Sequence, residues 1–404
     1  MLKQAVFLVG GRGTRLGSLT DNTPKPFITV AGRPFLAYLI DNAVRHGITD
    51  IILLAGYLAD QLQQAWGPGS DAHKALAAEG VSIRVVAEPQ AAGTAGALLH
   101  ARDWLDERFL LANGDSFFDF NWLDLLTLHA PPDAVARIGL RRVPDGSRYG
   151  RVVLDGDRVT AFEPRGTAEE TLINGGVYLL RREILDYVDR TPLSIEQDVF
   201  PRLAAEGRIF GHAYDGFFID IGVPEDLARA DRSMTVATTR PAAFLDRDGV
   251  LNHDNGYTHR AKDFRWIDGA PEAIKLLNDL GYYVFVVTNQ GGVAHGYYDE
   301  TAVQELHRWM QQELQSLGAH VDRFEYCPHH PGGKVAAYAR ACDRRKPGPG
   351  MLQDCMARWP VDKTRSFLIG DKPSDIEAAE AVGIPGHLFA GESVLTFLTP
   401  HLRA

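Results

Sequence analysis

Two aspartates separated by one residue follow an apolar segment in the second half of the chain. Asp246 and Asp248 come directly after Ala242–Leu245, which has the composition of a buried strand. Side chains at positions i and i+2 of an extended segment point to the same side, so one carboxylate can attack phosphorus while the other handles the proton of the leaving oxygen. The pair therefore predicts phosphoryl transfer through an aspartate nucleophile.

The other groups that such a reaction needs occur in three later motifs. They offer hydroxyl and amide donors for a phosphoryl oxygen, cations that offset its charge, and further carboxylates that follow an apolar strand. A single aspartate of this kind is equally well explained as a helix cap or a turn residue, but the four motifs together are not. The residues are Thr288, Asn289, Arg345, Lys346, Asp371 and Asp375.

The order and spacing of these motifs resemble the haloacid dehalogenase superfamily. The resemblance implies that Asp246 forms an aspartyl phosphate and that Asp248 first protonates the leaving oxygen and then activates water. It also implies Mg²⁺, held by Asp246, Asp371 and the backbone carbonyl of Asp248. Thr288 and Lys346 complete the implied catalytic set. Within the superfamily, residues 240–390 resemble the phosphatases of D-glycero-D-manno-heptose 1,7-bisphosphate, although histidinol-phosphate phosphatases share much of the pattern.

A cysteine-rich loop between these motifs resembles the zinc loop of the same group. Cys327, His329 and Cys342 match three of its ligands, but Arg344 stands where the fourth, a cysteine, is expected. Structural zinc sites are almost always four-coordinate, and a guanidinium stays protonated and cannot ligate. We expect weakly bound zinc at most. The alternative is a metal-free loop, with Arg344 taking part in phosphate binding.

A glycine-rich loop follows the first apolar segment, residues 5–9. Glycines directly after a strand allow backbone N–H groups to approach phosphate oxygens, and nearby cations can neutralise a triphosphate. The spacing fits neither the dinucleotide-binding fingerprint nor the Walker loop, and a tight turn with two surface cations would explain the loop taken alone. The residues are Gly10, Gly11, Gly13 and Thr14, with the cations Arg15 and Lys25.

Further motifs in the first half make that simpler reading inadequate. They comprise a glycine turn, an aspartate after an apolar strand, three residues in two glycine-containing motifs, and an aspartate two residues before a glycine. In chain order these residues are Gly93, Asp115, Gly150, Asn174, Gly175 and Asp220. Over residues 1–230 this succession resembles the sugar-1-phosphate nucleotidyltransferase family. Because Asp115 follows a strand, it should lie at the carboxyl edge of the sheet, where ligands bind in open α/β folds.

Together with Asp220, Asp115 could hold Mg²⁺ at the phosphate under attack, although Asp220 can also be read as a turn residue. Arg15 and Lys25 would stabilise charge on the phosphate oxygens, with no protein nucleophile.

The family resemblance places Gly93 near the base and Gly150, Asn174 and Gly175 near the sugar. Where relatives commonly carry Glu-Lys, this chain has Pro164-Arg165 after Glu163. Arg165 would supply the cation that binds the sugar phosphate. Glu163 is the carboxylate left to contact the sugar. Three segments, residues 113–120, 172–180 and 215–227, resemble the branch that transfers guanylyl groups to D-glycero-D-manno-heptose 1-phosphate.

The elements that would position these residues indicate two α/β domains. Apolar strands and helical segments alternate, which is typical of βαβ units and a largely parallel sheet. The polar stretch at residues 233–241 separates two such series. We expect residues 1–235 to form a Rossmann-like nucleotidyltransferase with a mixed sheet, and residues 240–404 a haloacid-dehalogenase-like Rossmannoid domain. The predicted strands are residues 5–9, 51–54, 83–86, 109–111, 242–245, 283–287 and 366–369, and the predicted helices include residues 34–45 and 271–280.

Composition limits the function classes. The 404 residues carry a formal net charge of −10 without a cluster of Lys and Arg, which argues against nucleic acid as a partner. Three cysteines cannot form a disulfide framework, and the N-terminal apolar stretch is too short to span a membrane, so we expect a cytoplasmic protein.

The two halves are chemically complementary, since removing the 7-phosphate of a heptose 1,7-bisphosphate yields the 1-phosphate that a GTP-dependent transferase would consume. The rivals are the same two chemistries on another sugar or NTP, or a regulatory protein with one silent domain.

Overall fold

The computed structural model describes residues 1–165 and 169–402, except that the side chain of Arg165 lies outside its described part. The chain forms two compact units, Leu2–Val236 and Ala237–Ala404. Helix α7, Pro224–Thr238, runs through much of the polar stretch 233–241, and the division between the units falls in its last turn. Among the described residues, no helix combines the length and apolar composition that a bilayer span needs.

The first unit is built on a mixed sheet of nine strands with helices packed against it. Its sheet order is β5-β4-β1-β6-β11-β8-β12-β10-β9. The strands of the unit are β1 Gln4–Leu8, β2 Thr29–Val30, β3 Arg33–Pro34, β4 Asp50–Ala55, β5 Ser82–Ala87, β6 Arg108–Asn113, β7 Ser116–Phe118, β8 Ala136–Val143, β9 Gly150–Asp155, β10 Arg158–Arg165, β11 Thr171–Arg181, β12 Ile209–Tyr214 and β13 Phe218–Asp220. The α-helices are α1 Phe35–Arg45, α2 Ala59–Trp66, α3 Asp71–Ala78, α4 Gly93–His100, α5 Asp124–Thr127, α6 Phe200–Glu206 and α7 Pro224–Thr238.

The parallel half of this sheet comprises β5, β4, β1 and β6, and its central strands β4 and β1 are largely buried on both faces. Residues of β1 alternate between two buried clusters, with Phe7 on one side and Val6 on the other. Such a strand needs cover on both faces, which the helices provide. Strands β1 and β6 end at the same edge, and the motifs containing Gly10 and Asp115 follow them there.

The second unit contains one parallel sheet of five strands in the order β16-β15-β14-β17-β18. The central strand β14 is buried throughout and ends directly before Asp246. The strands are β14 Ala242–Leu245, β15 Tyr283–Asn289, β16 Arg323–Cys327, β17 Phe367–Gly370 and β18 Gly386–Leu388. The α-helices are α8 Ala270–Asp279, α9 Gly292–His295, α10 Glu300–Ser316, α11 Gly350–Arg358, α12 Pro373–Ala381 and α13 Val394–Leu398.

Helix α8 shows why these segments fold as predicted. It begins after Gly269, which has φ +69°, and carries a proline in its first turn, where the missing N–H costs nothing. Its buried residues include Ile274 and Leu277, which pack into the core beside β14. The parallel sheet thereby brings the carboxyl ends of β14, β15 and β17, and the polar motifs that follow them, to one edge.

Candidate functional sites

A cavity of about 710 Å³ opens at the carboxyl edge of the sheet in the first unit. Its lining includes five of the residues expected there from the sequence: Gly10, Gly11, Lys25, Gly93 and Asp115. The cavity is large enough for a nucleotide, since small-ligand sites commonly measure about 300–1,000 Å³.

Lys25 lines this cavity and contacts two carboxylates, of which Asp115 is also in the lining and Asp220 is not among the described lining residues. Its side chain is only 7% exposed, and its Nζ lies 2.5 Å from Asp115 Oδ2 and 3.9 Å from Asp220 Oδ1. Burial raises the pKa of Asp220, and the charge of Asp115 raises it further, while Lys25, the Gly222 N–H and Arg15 lower it. Two carboxylates beside each other at a phosphate site suit a divalent cation, because its oxygen ligands would relieve their repulsion.

Glycines allow the backbone to pass close to these groups. Gly13 has φ +64°, and an added Cβ would lie 2.9 Å from the side chain of Thr20 and 3.4 Å from that of Lys25. A Cβ on Gly222 would lie 3.1 Å from Nη2 of Arg15, so the exposed Arg15 reaches the neighbourhood of Asp220. Thr14 is exposed in the 3₁₀ helix that follows Gly13. Arg15 and Lys25 therefore both lie near Asp220.

Two glutamates lie in the cavity wall, and one of them, Glu196, was not identified from the sequence. Glu88 follows β5, and burial raises the pKa of its carboxyl group, against the lowering effect of the Ala92 N–H and of His100. Glu196 accepts a hydrogen bond of 2.9 Å from the hydroxyl of Thr94. Glu196 has no local signal, since it lies in a single π-helical turn, Ile195–Val199, far along the chain from Gly93.

The residues expected near the sugar are not among the described residues that line this cavity. Gly150 begins β9, and Glu163 on β10 faces Arg151 across that hairpin at 3.7 Å. Asn174 on β11 donates to Tyr178 and accepts from the Gly176 N–H. Gly175 has Phe118 so close that a Cβ would overlap its ring. The prediction for the side chain of Arg165 concerns a group outside the described part.

A second cavity, of about 300 Å³, lies at the carboxyl edge of the sheet in the second unit. The buried Lys346 is its central cation, with Nζ 2.9 Å from Asp246 Oδ1 and 2.6 Å from Asp375 Oδ1. Burial alone would lower the pKa of Lys346, but Asp246 and Asp375 outweigh it and raise that pKa. Burial raises the pKa of Asp246 to about 7, with Lys346 opposing and Asp375 adding to the shift.

The carboxylates of Asp246, Asp371 and Asp375 form a group whose oxygens lie within 4.8 Å of one another. Asp375 already binds Lys346 and accepts from the Lys372 N–H, whereas Asp371 Oδ1 is buried without a hydrogen-bond partner among the described residues. An unpartnered carboxylate oxygen beside Asp246 fits a Mg²⁺ ligand. The backbone approach is tight, because Gly249 has φ +92° and a Cβ there would overlap Asp371.

Asp248 is oriented by a set of donors and lies outside that carboxylate group. Nη2 of the fully buried Arg247 lies 3.1 and 2.9 Å from its two oxygens. Asn252 donates to one oxygen at 3.0 Å and Gln290 to the other at 2.9 Å. These donors fix the side chain of Asp248 in the lining of the cavity. The superfamily pattern implies that this residue contributes its backbone carbonyl, and not its side chain, to a metal.

Of the remaining predicted residues of this site, Thr288 and Asn289 line the cavity, whereas Arg345 does not. Thr288 accepts from Gln290 Nε2 at 2.9 Å, which leaves its own hydroxyl proton free to turn toward the cavity. Asn289 exchanges two hydrogen bonds of 3.0 Å with the backbone of Lys346 and so fixes the segment that carries the cation. Arg345 donates to the His329 carbonyl at 3.2 Å and is not among the described residues that line the cavity.

The cysteine loop brings its three predicted ligands together. Donor atoms of Cys327, His329 and Cys342 lie within 4.8 Å of one another. Burial raises the pKa of Cys327 to about 11, and the neighbouring Cys342 adds to the shift. Arg344 instead forms ion pairs with Glu325 and Asp354, which gives its charge a structural partner in the loop.

Comparison with known proteins finds a different family model in each half of the chain. A family model described as nucleotidyl transferase matches residues 4–236, and one described as HAD-hydrolase-like matches residues 343–393. The fold and the two sites therefore define a chain with a nucleotidyltransferase domain followed by a HAD-like phosphatase domain. The chain belongs to the nucleotidyl transferase family through its first unit and to the HAD-like phosphatases through its second.

Individual relatives indicate which members of these two families the chain resembles. The D-glycero-beta-D-manno-heptose-1,7-bisphosphate 7-phosphatase of Rhodopseudomonas palustris is 54% identical over 162 residues, which are 40% of this chain and 90% of the relative. The enzyme of the same name from Escherichia coli K12 is 41% identical over 37% of this chain and 78% of its own length. For the first unit, the structure of HddC from Yersinia pseudotuberculosis complexed with GMP-PN is similar with a TM-score of 0.50 and 27% identity, covering 58% of this chain and all of HddC.

Proposed function

We propose that this chain catalyses two consecutive steps toward a GDP-activated heptose. Its second domain removes the 7-phosphate from D-glycero-D-manno-heptose 1,7-bisphosphate, and its first domain transfers a guanylyl group from GTP to the resulting 1-phosphate. The observation that carries this proposal is the 54% identity of the second unit to a named 7-phosphatase across 90% of that relative. The likeness of the first unit to a protein that binds GMP-PN supports a guanine nucleotide as donor.

In the phosphatase, Asp246 attacks phosphorus and forms an aspartyl phosphate as the bond to the sugar oxygen breaks. Asp248 gives that oxygen its proton and then takes one from the water that cleaves the intermediate. Lys346 and Thr288 hold the phosphoryl oxygens during both displacements. Asp246 and Asp371, with the Asp248 carbonyl, would hold Mg²⁺, which offsets the repulsion between the nucleophile and the phosphate.

In the transferase, the phosphate oxygen of the sugar 1-phosphate attacks the α-phosphorus of the nucleotide, and pyrophosphate leaves. Lys25 and Arg15 stabilise the charge that accumulates on the oxygens, and the backbone around Gly10 and Gly11 receives the phosphates. Asp115 and Asp220 would hold Mg²⁺, which neutralises phosphate charge. Because positioning and charge account for catalysis, the domain needs no covalent nucleophile.

The sugar contacts are proposed on the family pattern: Gly150, Glu163, Arg165, Asn174 and Gly175 face the sugar 1-phosphate. They lie on β9, β10 and β11, which could contribute a second wall once substrate is bound. The proposed ligands are thus small molecules, namely the heptose phosphates, GTP and Mg²⁺, in a cytoplasmic enzyme.

Mass spectrometry of the reaction products tests this proposal. Each anomer of the heptose bisphosphate is incubated with Mg²⁺ and one NTP at a time, and we expect a GDP-heptose with GTP. A nucleotide sugar that forms only from another NTP, or only from a hexose phosphate, would replace the proposed substrates. Absence of turnover in one domain, with activity in the other, would support a regulatory role for the silent domain.

A further inference from the structure

Two half-exposed tyrosines contact each other beside the phosphatase cavity. Tyr257 lines that cavity and is 48% exposed, and Tyr297, which is not among the described residues that line it, is 54% exposed. Their ring centroids are 4.7 Å apart in an edge-to-face arrangement, and His295 stacks on Tyr297 at 5.6 Å. A single exposed tyrosine is common, but two rings in contact expose a continuous aromatic surface, and such surfaces can mark ligand-binding sites.

The backbone of Tyr257 provides an independent observation. Its φ is +60°, a left-handed conformation that is unfavourable for a residue with a Cβ, and the preceding Gly256 also has a positive φ of +77°. Glycine would adopt this conformation at Tyr257 without strain. Strained residues of this kind are concentrated at ligand-binding sites, where the position of the side chain matters more than local stability.

A neighbouring tyrosine has a different role. The hydroxyl of Tyr298 donates to Gln290 Oε1 at 2.7 Å, and its ring stacks on His259 at 4.6 Å. Tyr298 is therefore tied into the donor set that orients Asp248. Tyr257, by contrast, has a half-exposed ring in the cavity that contains Asp246, where the organic part of a phosphate ester must lie, and the ring of Tyr297 extends that aromatic surface.

We propose that Tyr257 and Tyr297 form an aromatic platform that binds the carbon–hydrogen face of the sugar and so makes the phosphatase selective for sugar phosphates. This inference rests on the proposed sugar phosphatase activity, and it identifies residues that determine the substrate specificity of that activity. A sugar ring has an apolar face of C–H groups with hydroxyls around its rim, which suits a tyrosine with an apolar body and a polar tip. Binding energy from this remote part of the substrate positions the phosphate at the nucleophile.

Substrate selectivity tests the platform. The variants Tyr257→Gly and Tyr297→Ala are compared with the unmodified chain on the heptose bisphosphate, on a panel of hexose phosphates and on acetyl phosphate, which has no sugar. We expect KM for each sugar phosphate that the unmodified chain hydrolyses to rise about 3–10-fold, with kcat within about twofold. The kcat/KM for acetyl phosphate should not change, and Tyr257→Phe should restore the sugar KM.

The outcomes separate the platform from the activity on which it rests. Failure of the unmodified chain to hydrolyse any sugar phosphate would overturn both proposals, whereas hydrolysis of the bisphosphate with unchanged selectivity in the variants would overturn the platform alone. An equal loss on acetyl phosphate, or a lower Tm for Tyr257→Gly, would assign Tyr257 a structural role instead. If Tyr257→Phe were as impaired as Tyr257→Gly, a hydroxyl contact would replace stacking.

Discussion

Replacing Lys346 with methionine should destabilise the second domain and stop its chemistry at the same time. The cation lies between two carboxylates, with side-chain exposures of 1% for Lys346, 8% for Asp246 and 1% for Asp375. Removing one member of a buried ion pair typically costs about 3–5 kcal/mol, because the remaining charge is left without a partner. The methionine fills a similar volume, so a cavity contributes little to this figure.

The pH dependence of Lys346→Met follows from the same contacts. Lys346 opposes the upward shift that burial and Asp375 impose on the pKa of Asp246, so its removal raises that pKa further above about 7. A carboxyl group whose folded-state pKa exceeds its unfolded value destabilises the fold at high pH, and the penalty disappears as pH falls toward the unfolded pKa near 4. The deficit of the variant should therefore be largest above pH 7 and smallest near pH 5.

Urea unfolding of the second domain, followed at pH 5 and pH 8, measures this effect, with phosphate release assayed in parallel. Phosphatase kcat should fall at least about 10²–10³-fold, while nucleotidyl transfer serves as an internal control and stays unchanged. The exposed Lys363→Met is the matched control and should shift the free energy of unfolding by less than about 0.5 kcal/mol. An unfolding midpoint equal to that of the unmodified chain at pH 8, or retained phosphatase kcat, would refute the role given to Lys346.

Three further results are expected. Lys25→Ala or Asp115→Ala should reduce nucleotidyl transfer by about 10²–10³-fold without affecting phosphate release, whereas Asp246→Asn should do the reverse; phosphatase turnover in Asp246→Asn would exclude the aspartyl phosphate. Protein purified without added zinc should contain well below one equivalent by elemental analysis, and Arg344→Cys should raise that content; chelator-resistant, stoichiometric zinc in the unmodified chain would show that another group completes the site. Gly249→Ala should abolish phosphatase activity and lower the Tm of its domain, because the new Cβ overlaps a carboxylate and the residue has φ +92°; an active, equally stable variant would contradict this geometry.

The sequence predicted the parallel strands well because their signal is local. Both β1 and β14 are short apolar runs that end at glycine or aspartate motifs, and each lies within a residue or so of its predicted bounds. The strands β8 to β12, whose pairings are antiparallel except for that of β12 with β8, were not predicted from the sequence. They mix charged and apolar residues, as in β8 with its three arginines, and their identity depends on pairing partners distant in the chain.

The same distinction applies to the sites. Asp246 and Asp371 directly follow strands, so the sequence could place them at one sheet edge. Lys346 lies in a loop and was predicted from its motif alone. Glu196 has no such motif, and its place in the nucleotide cavity depends on the fold of residues far from Gly93. The partners of Arg344 were also beyond prediction, because ion pairs with Glu325 and Asp354 depend on tertiary packing.

Phosphorus NMR of the bisphosphate reaction tests the central claim, that one chain performs two complementary steps in a fixed order. Without NTP, the signal of the C7 phosphate ester should convert to inorganic phosphate while the anomeric phosphate persists. Adding GTP should then consume the anomeric signal and produce a sugar-linked diphosphate together with pyrophosphate. Loss of the anomeric phosphate before GTP is added would contradict the account, because the phosphatase would then destroy the substrate of its partner domain.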